Sequence, residues 1–322
     1  MEFDINKTFA PVVVSASRST DIPAFYSDWL VERFREGFCT WTNPFNRVQS
    51  HVSFEKTRMI VFWSKNPKPL LARLDEVEAL GFHNYYFQFT LNDYEQEGLE
   101  PKVPEVASRI ETFKELSKRI GKARVIWRFD PLLLSPTLTV DTLLYRIQSI
   151  GERLKGFTEK LVFSFADIAA YRKVAANLRG TGCREFTADE RTAFVKGLVE
   201  INAGLGFELA TCAEIVDLSP YGVRHNKCID DDMMVRLFHD DKPLMDFLGA
   251  EYDLLDGWII KKSKKDKGQR KACGCIMSKD IGEYNTCPHL CRYCYANATD
   301  DTVLANWKRH CECPHAETIT GK

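Results

Sequence analysis

The chain has 322 residues, with 44 Lys and Arg against 45 Asp and Glu, a formal net charge of −1, 44% hydrophobic and 28% charged residues. Such a composition excludes intrinsic disorder, and the balanced charge excludes wholesale attraction to nucleic acid or anionic membrane, so either partner would need a local patch. The opening MEFDINKTFA lacks an apolar run, so no signal peptide is read there; no stretch is long and apolar enough for a bilayer, and a cytoplasmic protein with no membrane partner is expected. Seven of the 11 cysteines lie between Cys273 and Cys313. In a reducing compartment that density points to metal or redox chemistry rather than a disulfide framework.

Along the chain, short apolar and β-branched runs read as strands: VVVSAS at 12–17, IVFW at 60–63, YYFQFT at 85–90, RVIWRF at 124–129, LVFSFAD at 161–167 and FELATCA at 207–213. Near-continuous apolar runs suit a parallel sheet covered on both faces. Between them lie helical stripes: Val106, Ile110, Phe113, Leu116 and Ile120; Val140, Leu143, Leu144, Ile147 and Leu154; Phe194, Leu198, Ile201 and Leu205. Thr187 and Glu190 have capping-box spacing before the last. The alternation predicts an α/β fold, a parallel (βα) barrel or partial barrel of TIM-like kind over residues 10–255, followed by a basic linker and cysteine-rich segment over 256–322.

The strand ends carry the polar residues: Arg18 and Asp21 after the first, Lys65 and Asn66 after the second, Asn92 and Asp93 after the third, Arg128 and Asp130 on the fourth. Asp167 follows the fifth, and Cys212 and Glu214 the sixth. In a parallel barrel all fall on one rim, where active sites are built. Arg18 with Asp21 and Arg128 with Asp130 each put a guanidinium near a carboxylate, either to hold an anionic ligand or to brace the rim. Glu214 is a candidate for proton transfer or for binding an ammonium group. The sequence contains no dinucleotide-binding glycine fingerprint, no P-loop, no G-x-S-x-G and no H-E-x-x-H.

Residues 287–294 read CPHLCRYC. Cys287, Cys291 and Cys294 at C-x-x-x-C-x-x-C spacing can hold three irons of a 4Fe–4S cluster and leave one open. Zinc, with His289 as fourth ligand, is the alternative, and unliganded cysteines the bland one. Cys212, Cys228, Cys273 and Cys275 form a second candidate set, for another iron–sulfur cluster or a closed zinc site; a buried strand cysteine is the plain reading of Cys212. The stretch KKSKKDKGQRK (261–271) holds seven basic residues and one acid, either a phosphate or nucleic-acid contact or a solvated linker.

With Tyr293 as the aromatic residue before its last cysteine, CPHLCRYC resembles the signature of radical S-adenosylmethionine enzymes, and YNTCPHLCRYCYAN (284–297) is similar to the spore photoproduct lyase-like members. SASRSTDIPAFY (15–26), NPFN (43–46), VFWSKNP (61–67), YYFQFTL (85–91), VIWRFDP (125–131), TCAE (211–214), KCID (227–230) and DKGQRKACGC (266–275) together resemble one bacterial domain-of-unknown-function family with such a C-terminal cysteine motif. The superfamily resemblance implies S-adenosylmethionine chelated at the open iron and cleaved to a 5′-deoxyadenosyl radical. It also implies an electron donor such as ferredoxin or flavodoxin and an unidentified small-molecule or nucleic-acid substrate. Tyr293, Asn66, Lys267 and Arg270 become candidate cofactor contacts, and Arg18, Asp21, Arg128, Asp130 and Glu214 candidate catalytic residues.

In that superfamily the cysteine loop follows the first strand of a six-stranded partial barrel; here it follows the sixth, and no G-G-E motif is present. A circular permutation reconciles the order, with CIMSKDIG (275–282) as first strand and a helix from about Tyr295 to Trp307. The alternatives are a segment that lays a cluster over the barrel mouth without S-adenosylmethionine, or a non-radical barrel that binds or hydrolyses a phosphorylated or nucleic-acid ligand.

Overall fold

The computed structural model describes residues 8–322; most of the N-terminal stretch read above as no signal peptide lies outside them. The dominant element is an eight-stranded, wholly parallel sheet. Its strands are β1 (Val13–Ala16), β2 (Met59–Ser64), β3 (Tyr85–Thr90), β4 (Val125–Leu132), β5 (Lys160–Phe165), β6 (Glu208–Thr211), β7 (Arg224–His225) and β8 (Lys279–Asp280). All six expected strands form within a few residues of their predicted limits. Their spatial order is β8-β1-β2-β3-β4-β5-β6-β7. Chain neighbours are sheet neighbours throughout, except that the last strand docks beside the first. Edge strands β8 and β7 are not paired to each other among the described residues, so strand pairing does not close a barrel.

Alternation of side chains divides the sheet into two packed faces. Ile60, Phe62, Phe87, Trp127, Phe163 and their neighbours join one core with helices α1 (Ser27–Glu36), α2 (Val106–Ile120), α3 (Val140–Leu154) and α4 (Ala188–Leu205). The long crossover helices thus share one face. Helix α4 starts at a capping box of Thr187 and Glu190, as its sequence predicts, and stops where Gly206 takes a left-handed φ of 78°. Val61, Tyr86, Ile126, Val162 and Ala210 face the other way and pack with α5 (Asp231–Phe238) and α6 (Lys242–Leu248). No helix among the described residues is long and apolar enough to cross a membrane.

Two features were not legible as regular elements. Thr8–Phe9, Gln49–Ser53 and Phe38–Thr42 form a small separate sheet, and Ala250–Asp253 with Gly257–Ile260 an antiparallel hairpin. The final helix, α7 (Asp300–Glu312), begins five residues later than the expected Tyr295, because the Thr299 side chain caps it through the Thr302 amide.

The β8–β1 junction is held by one carboxylate. Asp280 accepts from Ser15 Oγ (2.8 Å), Ser17 Oγ (2.7 Å), the Arg18 amide (2.8 Å) and the Gly282 amide (3.0 Å). Gly282 must be a glycine, since a Cβ there would lie 2.0 Å from Ser17 Oγ, a hydroxyl already committed to Asp280. Gly282→Ala is therefore expected to lose about 1–3 kcal/mol of stability through overpacking. The readouts are a lowered urea midpoint and faster proteolysis of the C-terminal segment; an unchanged midpoint would contradict this packing.

Candidate functional site

The cysteine loop leaves β8 and runs over the ends of β1–β3. His289 lies buried against the Phe25 ring, with Nε2 2.9 Å from Asp21 Oδ2 and Nδ1 3.2 Å from the Lys102 carbonyl. Both ring nitrogens are engaged, so His289 is not placed to be a fourth metal ligand. Asp21 is equally occupied: it caps Ala24, accepts from Ser64 Oγ (2.7 Å) and the Lys65 amide (2.7 Å), and orients His289.

A second anchor surrounds Tyr293, whose hydroxyl meets Lys65 Nζ (2.9 Å), Asn92 Nδ2 (3.1 Å) and the Glu100 carboxylate. Glu100 is fully enclosed. Burial alone would raise its pKa, but Lys65 at 2.7 Å and Arg109 at 3.5 Å hold it down at about 2. Arg292 N donates to the Leu99 carbonyl at 2.9 Å, Asn297 to the Cys287 carbonyl at 3.0 Å, and Tyr295 Oη to the Arg18 carbonyl at 2.8 Å.

Within this frame Cys291 is buried and Cys287 and Cys294 are half-buried, all as free thiols. Burial pushes Cys287 up to about 12 and raises Cys291 and Cys294, so all three are protonated near neutral pH, and a metal bound there would have to displace protons. The thiols are near enough to influence one another electrostatically. Even so, among the described residues only Asp230, Asp231 and Asp232 bring three potential ligand atoms all within 4.8 Å of one another. At least one pair of the three sulfurs is therefore more than 4.8 Å apart.

Toward the middle of the sheet, Arg18 and Arg128 both lie over the Trp63 ring, with centroid distances of 5.8 and 5.2 Å. Buried Arg128 donates to Gln88 Oε1 (3.2 Å), to Cys228 Sγ (3.0 Å) and to Asp130, which also accepts from Ser164. Beyond them stand Cys212 and Cys228, with Sγ atoms 3.4 Å apart, followed by Cys275 and Cys273. Glu214 accepts from the Phe165 amide at 2.8 Å, and burial raises its pKa to about 6.

The chain matches the family model described as "Domain of unknown function (DUF1848)" over residues 13–296. It belongs to that family. No curated protein matches this DUF1848 chain. A solved Bacteroides thetaiotaomicron protein, provisionally named an alpha-L-fucosidase, aligns at 13% identity over 97% of this chain and 96% of that one, with a TM-score of 0.35. A likeness that low carries no argument.

The residues singled out in the DUF1848 sequence fall into three groups. Cys287, Cys291, Cys294 and Tyr293 share one loop, and Arg128, Asp130, Cys212, Cys228, Cys273 and Cys275 adjoin one another. The expected pairing of Arg18 with Asp21 does not form: Arg18 reaches Ser278 Oγ (3.2 Å) and feels Asp280, while Asp21 serves His289. Asn66 is half-buried, with no side-chain hydrogen bond among the described residues. Arg270 bridges to Asp167 at 2.9 Å, and Lys267 is exposed without a partner among the described residues.

Sequence reasoning missed Asp280, Glu100 and Glu283. Burial raises the Glu283 carboxyl to about 7; its Oε1 has no partner, and it borders a pocket of about 110 Å³ with Thr42, Arg47, Lys173 and Asn285. A larger groove of about 370 Å³ lies at the opposite strand ends, among residues such as Lys122, Lys160, Glu208 and Arg236; Lys227, next to Cys228, also lines it.

Two outcomes follow from these carboxylates. Glu100→Gln leaves Lys65 and Arg109 as buried charges without their counter-ion, and is expected to cost about 3–5 kcal/mol in urea unfolding. For Glu214, a folded pKa of about 6 lies above the usual carboxyl value of 4.5. The stability this group contributes is present below 4.5 and is lost as pH rises through 6. Glu214→Gln, which keeps the acceptor for Phe165, should flatten the fall in unfolding midpoint across that interval; parallel pH profiles for the two proteins would refute the assignment.

Proposed function

We propose that this protein is an iron–sulfur enzyme of the radical S-adenosylmethionine type, built on a partial barrel whose chain order is circularly permuted. The observation that carries the reading is the docking of β8 beside β1. Read cyclically from β8, the order becomes strand, cysteine loop, helix α7, then β1 and its successors across the sheet. Helix α7 supports this, because its Trp307 packs into the same core as α1–α4, the layer a crossover helix belongs to. Eight parallel strands in chain order, with their long crossovers on one face, fit an open barrel better than a doubly wound sheet.

Cys287, Cys291 and Cys294 would hold a 4Fe–4S cluster, which with S-adenosylmethionine at its open iron supplies hydrogen-abstracting radical chemistry. A one-electron donor of ferredoxin or flavodoxin class is then a required partner. The chain's own residues fix the loop: Asp21 through His289 on one side, and Glu100, Lys65 and Asn92 through Tyr293 on the other. Tyr293 is thereby assigned a positioning role as well as proximity to the cofactor. Arg18 and Arg128 over Trp63, each beside a carboxylate, form a guanidinium-bearing rim, with Asn66 and Glu214 as further candidate contacts at neighbouring strand ends. That rim suits an anionic substrate or cofactor group.

The test is iron and acid-labile sulfide content after anaerobic purification, with electron paramagnetic resonance of the reduced protein with and without S-adenosylmethionine. About four irons assigned to this loop, lost in Cys291→Ala, with a spectrum perturbed by S-adenosylmethionine, is the expected result. Zinc in place of iron at Cys287, Cys291 and Cys294 would overturn the reading, and an iron spectrum unmoved by S-adenosylmethionine would remove the cofactor from it.

A further inference from the structure

The cysteines outside the loop converge on a different place. Cys212 directly follows β6, Cys228 lies just after β7, and Cys273 and Cys275 belong to the strap that returns toward β8. The two halves of the set lie 45 to 63 residues apart in the chain, yet their sulfurs form one series. Cys212 Sγ is 3.4 Å from Cys228 Sγ, Cys228 neighbours Cys275, and Cys275 neighbours Cys273. Cys228, Cys273 and Cys275 are buried, Cys212 is half-buried, and none is in a disulfide.

The polar groups around these sulfurs are donors. Cys228 Sγ accepts from Arg128 Nη1 at 3.0 Å and from Asn226 Nδ2 at 3.3 Å, and Cys275 Sγ accepts from the Ile229 amide at 3.4 Å. Arg128 keeps its carboxylate partner on Nη2 and turns Nη1 toward sulfur. N–H groups aimed at sulfur stabilise a thiolate rather than a thiol, and such outer contacts orient metal-binding ligands. Arg18 and Arg270 add positive charge felt by the same sulfurs.

We propose that Cys212, Cys228, Cys273 and Cys275 form a second metal centre, a four-thiolate site for a single thiophilic cation of the zinc class. The 3.4 Å pair is close to one edge of a zinc tetrahedron, about 3.8 Å for bonds of about 2.3 Å. It is too tight for two thiolates on separate corners of a cubane. No three of the sulfurs yet lie within 4.8 Å of one another, so the set is an open arc that a bound cation closes by drawing in the strap. The centre would tie the strap to the β6–β7 end of the sheet, while Asp280 ties its continuation to β1 at the opposite edge.

The site is independent of the cluster reading, and its test is made in the full-length Cys287→Ala, Cys291→Ala, Cys294→Ala triple variant. Anaerobically purified, that protein is expected to retain about one zinc per chain. After chelation, titration with cobalt(II) should give the intense sulfur-to-metal absorption and tetrahedral ligand-field bands of a four-thiolate site at one equivalent. Adding Cys228→Ala and Cys275→Ala should abolish both; if that protein fails to fold, the cobalt spectrum of the triple variant decides alone. A triple variant that binds neither zinc nor cobalt(II) overturns the proposal, as does one that holds iron and sulfide at these four cysteines. Loss of iron with retention of zinc would leave both sites standing, whereas failure of either one is read separately.

Discussion

The C-terminal face depends on the docking of a two-residue strand. Lys279 and Asp280 pair with Val14 and Ser15, and a ladder that short has little stability of its own. What fixes it is the Asp280 carboxylate, which gathers two hydroxyls and two amides from both sides of the junction. A carboxylate that accepts several short hydrogen bonds is a strong, directional clamp. Because Cys287 lies only seven residues later, the same clamp sets where the loop leaves the sheet.

From that point the loop is held by two buried ionic clusters of different character. Around Asp21 the negative charge is met by backbone amides, a hydroxyl and His289, so the contact is mostly geometric. Around Glu100 it is met by two cations, and electrostatics outweighs desolvation. Each cluster takes one residue from the CPHLCRYC run, and those residues, His289 and Tyr293, lie between the cysteines rather than at the ends. The intervening residues therefore do the anchoring, which leaves the thiols free for a ligand.

The parts of this arrangement that could be read from the sequence are the local ones. Apolar runs such as YYFQFT and LVFSFAD marked their strands because burial on both faces demands them, and Thr187 with Glu190 marked a helix start three residues apart. The strand-like character of CIMSKDIG identified the region of β8, since hydrophobic pattern alone can flag an edge. Partners distant in sequence were not legible. Arg18 and Asp21 looked paired because they are neighbours, yet each found its partner more than 250 residues away. Glu100 sits in a stretch with no periodicity, and only the folded chain brings Tyr293 onto it. The four cysteines at the other end of the sheet were grouped by chemistry, while the arginine turned toward Cys228 could not be foreseen.

The position of β8 also governs the order in which this molecule is completed. Ser15 and Asp280 are 265 residues apart, so the outer edge of β1 stays unpaired until residues 279–280 have been made. Contacts of such separation form late and slowly, because loop closure must come before they are rewarded. During synthesis the first strand of the large sheet has to wait with an open edge, the kind of surface that templates association with other chains. The thiols of the cysteine loop are made after the strands on which that loop is held, so the loop settles onto a surface already laid down.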